Sequence, residues 1–270
     1  MSVIFIGLLL CLTGFLVSAV LCARSIYAHA KNQTKIILPV AVIATALQLV
    51  IAKQALYINN NELTLSLASM SLLVSGLINA VILWRSIKQF NPMMVLVTTA
   101  FAAILALLLV VTPTSSALYN SAIINTSLPM LIHIVLSVAA YCVLVIASLY
   151  ALQFHYIDSK LKAKTLSLNS YLPPLNVVEN QHFKLMTLGV LLLTAALVTG
   201  FAFLENMWAK DYAHKTILSL IAWVIFVALT LGHKIYGWRG HKSAIITIIG
   251  AIILSLGYFG SRFVREIILT

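Results

Sequence analysis

Coordination by imidazole is the chemistry this sequence offers most clearly. Its 270 residues include seven histidines, against six acidic residues and three cysteines. Two of the seven, His133 and His214, stand at the start of long apolar runs, LPMLIHIVLSVAAYCVLV and HKTILSLIAWVIFVAL. A helix opening there would hold each ring near its N-terminus, where the dipole disfavours an imidazolium and favours the neutral ring. A neutral imidazole is what a metal such as haem iron takes as an axial ligand. The unpaired N–H groups of the same helix ends suit anionic propionates. A histidine hydrogen-bonded between packed helices is the other reading open here. Just ahead of His214, the segment ENMWAKDYAHK (Glu205–Lys215) adds Trp208, Asp211 and Tyr212. Aromatic residues collect at membrane interfaces; the same group would also give a flat apolar ligand a shelf. The other histidines, His29, His155, His182, His233 and His241, lie among lysines and arginines and are expected to be solvated interfacial residues.

The elements that must position these groups are set by composition. Hydrophobic residues make up 62% of the chain and charged ones 9%, and the mean hydropathy is +1.06. A soluble domain carries about 25% charge and about 45–50% apolar residues. A soluble enzyme, a disordered chain and a nucleic-acid-binding domain are thereby excluded, the last despite a net charge of +11. A membrane-spanning helix needs roughly 20 apolar residues. Eight such runs occur, at Val3–Cys22, Ile36–Tyr57, Leu63–Trp84, Met93–Thr112, Pro129–Leu152, Leu185–Leu204, Thr216–Gly232 and Ala244–Phe263. Stretches such as Leu105–Val111 are apolar at every position, which excludes the alternation of a β-barrel. The expected fold is therefore all-α, a single polytopic membrane domain over 1–270 embedded in a lipid bilayer. The first run, with no basic residue before it and Arg24 after it, reads as a retained helix rather than a cleaved signal. The longest connection, Phe154 to Lys184, has room for at most a short amphipathic helix.

Orientation follows from the cations. Arg24, Lys31, Lys35, Arg85, Lys88, Lys160, Lys162, Lys164, Lys184, Lys234, Arg239 and Lys242 fall on one side, twelve in all. Lys53, Lys210, Lys215, Arg262 and Arg265 fall on the other, five in all, beside Glu62, Glu205, Asp211 and Glu266. The positive-inside rule then places both termini outside, in the periplasm of a bacterial inner membrane. His133 and His214 would both open helices at that outer face.

Other chemistries find little support. Cys11, Cys22 and Cys142 lie in or at the ends of apolar runs with no C-x-x-C pair, so they read as small packing residues. No G-x-x-x-x-G-K-[ST], G-x-G-x-x-G or H-E-x-x-H occurs. The span centres lack Asp, Glu, Lys and Arg, against a proton- or ion-coupled pump. Gln48 and Asn79 are expected to hydrogen-bond across helices.

The C-terminal half, residues 129–270, resembles the CcsA-type cytochrome c assembly proteins, and more closely their bacterial YpjD inner-membrane branch. The resemblance is carried, in order, by LPMLIHIVLSVAAYCVLVIASLYALQ, LPPLNVVENQHFKLMTLGVLLLTAALVTGFAF, HKTILSLIAWVIFVALTLGHKIYGWRGHKSA and GAIILSLGYFGSRFVREIIL. The N-terminal half is similar in span number and character. The resemblance implies a haem-handling protein that presents haem at the periplasmic face beside a tryptophan-rich loop, for attachment to the C-x-x-C-H motif of an apocytochrome c. By position, His133 matches the histidine that opens the first of these helices, and Glu205–Lys215 takes the place of the tryptophan-rich loop. That loop's W-G-x-x-W-x-W-D-P-K-E pattern is reduced here to Trp208 and Asp211. The histidine expected near the C-terminus is replaced by the region of Arg265 and Glu266, which leaves His214 as the candidate second axial ligand. Two further readings stay open: a partner or regulatory subunit that keeps the scaffold without haem, bound to another inner-membrane protein, and a small-solute transporter. No acid–base dyad is expected, because thiol attachment of haem depends mainly on positioning and redox control.

Overall fold

A computed structural model describes residues 2–27, 34–58, 62–63, 66–111, 128–164, 172–203 and 213–260. It contains α1 (Ser2–Tyr27), α2 (Thr34–Leu56), α3 (Leu67–Lys88), α4 (Pro92–Val111), α5 (Leu128–Lys162), α6 (Leu175–Phe203), α7 (Ala213–Tyr236) and α8 (His241–Ser255). A π-helical turn, Leu256–Gly260, follows α8. Among the described residues, β1 (Tyr57–Ile58) pairs with β2 (Glu62–Leu63) in a two-residue antiparallel ladder. Eight helices among the described residues are long and apolar enough to cross a membrane, and the protein is an all-α, multi-pass membrane protein.

The helices fall into two compact units, one built on α1–α4 and the other on α5–α8. In the first, α1 packs on α2 and α4, and α3 packs on α2 and α4, so the four helices close a ring. Its core includes Leu8, Cys11, Phe15, Ala44, Ile51, Leu72, Ala102 and Ala103. Lipid offers no hydrophobic driving force between helices, so small residues that let backbones approach carry the packing. On α4 the buried face is Thr98, Thr99, Ala102, Ala103 and Ala106. The opposite stripe, Phe101, Ile104, Leu108 and Val111, is exposed, as an apolar solvent permits. Local chemistry fixes the helix starts. Ser66 and Ser69 form a reciprocal capping box at α3, while Asn91 Oδ1 accepts from the Met94 N–H at 3.3 Å ahead of α4, whose first residue is Pro92.

In the second unit α5 packs on α6 and α8, and α7 packs on α6 and α8, again a closed ring. The α5–α6 seam is the closest: a Cβ on Gly189 would stand 2.6 Å from Cγ and Cδ2 of Leu144. Here the structure corrects the expected spans. The expected connection from Phe154 to Lys184 is largely helical: α5 runs ten residues past Leu152 to Lys162, and α6 begins ten residues before Leu185, at Leu175. The reason is periodicity. Gln153, Phe154 and Ile157, and likewise Val178, His182 and Phe183, keep one side of each extension buried although the apolar run has ended.

Candidate functional site

The site is built where α5 begins and α6 ends. His133 lies in the second turn of α5, half-buried. Its Nδ1 stands 2.9 Å from the carbonyl oxygen of Ala196 and 3.4 Å from Thr199 Oγ1, both in the last two turns of α6. A carbonyl only accepts, so Nδ1 carries the hydrogen and donates it. Nε2 is then left with its lone pair, and the Ser137 hydroxyl at 3.5 Å is the one described group directed at it. Fixing the tautomer and ring orientation through the second nitrogen is how metal-binding histidines are prepared.

The rest of the unit holds this end rigid. The Trp223 Nε1–H donates to Thr194 Oγ1 at 2.8 Å and ties α7 to α6. Two turns deeper on α5, the Tyr141 hydroxyl meets Ser255 Oγ at 2.9 Å, and the Tyr141 ring stacks on Tyr258 with centroids 5.0 Å apart. Phe259 packs edge-on against the same ring. The π-helical turn that ends α8 brings Tyr258 and Phe259 to this place; nothing in the residue spacing signals a π turn.

His214 lies in the first turn of α7, and its side chain lies outside the described residues. Trp208 and Asp211 also lie outside them. Helix rise places the His214 backbone. Counting about 1.5 Å per residue from the Trp223–Thr194 tie, it stands about 10 Å further toward this end than the level where His133 meets α6. Both histidines thus belong to one end of the unit on adjoining elements, His133 at the α5–α6 seam and His214 where α7 opens.

The opposite end of the unit is more organised than expected. His182 is 2% exposed and its Nε2 meets Thr247 Oγ1 at 2.9 Å, so it is a buried inter-helix residue and not a solvated one. The cause is the early start of α6, which carries it inside the bundle. His233 stacks on Phe183 with ring centroids 3.6 Å apart, and its Nδ1–H donates to Trp238 O at 2.9 Å. These two rings border a cleft of about 360 Å³ lined by Asn176, Glu179, Asn180, Phe183, His233 and Arg239. His155 and His241 face one another across α5 and α8. His29 lies outside the described residues. In the first unit Gln48 bridges α2 and α3 as expected, its Nε2 donating to Leu72 O at 3.2 Å and Ser75 Oγ at 2.7 Å. Asn79, fully buried on α3, makes no hydrogen bond among the described residues. The three cysteines are buried and form no disulfide among the described residues.

Comparison with known proteins decides the family. The family described as Cytochrome C assembly protein matches residues 2–269, and so takes in both units. The chain belongs to the cytochrome c assembly protein family. Among curated relatives, the Inner membrane protein YpjD of Escherichia coli strain K12 is 43% identical over 139 residues, 52% of this chain and 53% of that one. An uncharacterized 28.8 kDa protein of Azospirillum brasilense is 33% identical over 141 residues, 51% of this chain and 52% of that one. The Cytochrome c biogenesis protein CcsA of Prochlorococcus marinus is 32% identical over 88 residues, 32% of this chain and 28% of that one. The chain thus spans about half the length of the first curated relatives it matches. No solved structure matches.

Proposed function

We propose that this family member handles haem for cytochrome c assembly in a bacterial inner membrane, holding it at the periplasmic end of the second unit with His133 and His214 as axial ligands. The observation that carries the reading is the state of His133. Its Nδ1–H is committed to Ala196 O while Nε2 keeps its lone pair beside one hydroxyl, a donor that fits haem iron on one side. Family membership and the names printed for the relatives supply the class of process. The positive-inside count supports placing this end, and both termini, outside.

Within this reading Thr199 and the Ala196 carbonyl orient the His133 ring, the α5–α6 seam keeps it from turning, and Trp208 and Asp211 border the ligand before α7. When bound, haem supplies the group that becomes joined to the thiols of an apocytochrome. The chain itself contributes binding, orientation and exposure toward that partner, with no acid–base step.

The test is the optical spectrum, oxidised and reduced, of detergent-purified protein from haem-replete cells, beside His133→Ala and His214→Ala. A Soret band lost or shifted in both variants supports a bis-histidine site. A change in His133→Ala alone removes His214 from the assignment. A colourless wild type that gains no Soret band on haem titration sinks the reading, and His133 is then an inter-helix tie on a haem-free scaffold.

A further inference from the structure

We infer that His155 and His241 form a chelating site for an imidazole-seeking divalent transition metal, Cu(II), Ni(II) or Zn(II), at the end of the second unit remote from His133. His155 lies on the extension of α5 and His241 is the first residue of α8. Their Nδ1 atoms stand 3.1 Å apart, with ring centroids 4.3 Å apart and planes tilted by 33°. Metal–imidazole bonds are about 2.0–2.1 Å long, so a metal bound to both Nδ1 atoms would subtend an angle of about 98°. That is the angle between neighbouring positions of a tetragonal or tetrahedral ion, the geometries that imidazole ligands serve best.

The surroundings are arranged for a cation. Asp158, one turn from His155, places Oδ2 3.5 Å from His241 Nδ1 and is itself held by Lys162 Nζ at 2.7 Å. Gly240, at φ 82° and ψ −156°, gives its N–H to Glu179 Oε1 at 2.8 Å, which fixes where α8 and therefore His241 begins. No set of three or more His, Cys, Asp or Glu is arranged around a metal position among the described residues. The site is accordingly a two-nitrogen chelate whose remaining positions take water, with the Asp158 carboxylate beside His241 neutralising part of the added charge. Without metal, one Nδ1–H donates to the other ring. Metal binding requires the donating ring to change tautomer, Nδ1 giving up its proton to water as Nε2 takes one up from water. Both rings then present a bare Nδ1 to the metal with Nε2–H outward, and no net proton is released.

The experiment uses the full chain, haem-free and without a histidine tag, in detergent. Sub-stoichiometric Cu(II) should give an electron paramagnetic resonance signal with two nitrogen couplings. Zn(II), in competition with a chromogenic chelator, should bind at one equivalent and raise the unfolding temperature by mass action. His155→Gln and His241→Gln should each weaken binding roughly tenfold or more and remove one nitrogen coupling, while His233→Gln changes neither. Asp158→Asn, which keeps both rings, should weaken binding less than either histidine variant. Wild type without saturable one-equivalent binding overturns the inference. So does a double His155→Gln/His241→Gln variant that binds as tightly as wild type; the pair is then a hydrogen bond between α5 and α8 and nothing more. Should the histidine variants fail to fold, the nitrogen count in wild type and the Asp158→Asn affinity decide.

Discussion

Replacing Gly189 by Ala tests the seam on which the His133 site depends. The added methyl would stand 2.6 Å from both Cγ and Cδ2 of Leu144 and 3.4 Å from its backbone nitrogen. Leu144 is fully buried, so its side chain has no open space to swing into. Overpacking of this kind costs about 1–3 kcal/mol. Alanine returns about 1 kcal/mol of helix propensity, and the net loss should be about 0–2 kcal/mol. The decisive measurement repeats the substitution in a Leu144→Ala background, which itself costs about 2–5 kcal/mol. There Cγ and Cδ2 are gone, and Gly189→Ala should change sign, becoming stabilising by about 1 kcal/mol. SDS titration in mixed micelles, followed by circular dichroism, gives the four stabilities of the cycle. An equal loss in both backgrounds would refute the close approach as the cause. Gly189 and Ala196 lie two helical turns apart on α6, so the same wedge should also loosen the His133–Ala196 hydrogen bond.

Three more outcomes follow from single contacts. Trp223→Phe removes the donor to Thr194 Oγ1 and should cost about 0.6 kcal/mol, with an upper bound of about 1.7; Thr194→Val should add nothing further in the double variant. Asn79→Leu replaces a fully buried amide that has no hydrogen-bond partner among the described residues. It should stabilise the first unit by about 1 kcal/mol, and a loss on SDS titration would mean that the amide is satisfied in the membrane. Gly240→Ala places a side chain at φ 82°, ψ −156°, a region open essentially to glycine alone. It should cost about 1–3 kcal/mol and, by shifting the start of α8, lower Zn(II) affinity in the chelator competition.

The number and order of the helices were legible because lipid demands long apolar runs, and a run such as Met93–Thr112 has no other use. Their ends were less legible where tertiary burial replaced hydropathy as the signal. Past Leu152 and before Leu185 the residues are mixed, so a hydropathy window stops. The helices continue because Phe154 and Ile157 on one side, and Val178 and Phe183 on the other, still face inward. A reading by face rather than by average would have found them: 150, 154 and 157 keep helical spacing in YALQFHYI, as do 178, 182 and 186 in VENQHFKLM.

The histidines show why position along a helix and position in a bundle are different kinds of information. His133 was legible from its place near the start of an apolar run, since that alone implies a helix end. Its partner carbonyl on Ala196 was not, because a backbone acceptor leaves no mark in a sequence. The pair His155–His241 is separated by 86 positions and meets only because α5 overruns its apolar segment to reach the first residue of α8. Sidedness grouped both residues with the lysines, yet it treated them as independent solvated groups. What joins them is the closed ring α5–α6–α7–α8: once α5 packs on both α6 and α8, any polar overhang of α5 must meet the turn that opens α8. That constraint is topological, and it turns two unremarkable surface histidines into a pair of donors at coordination distance.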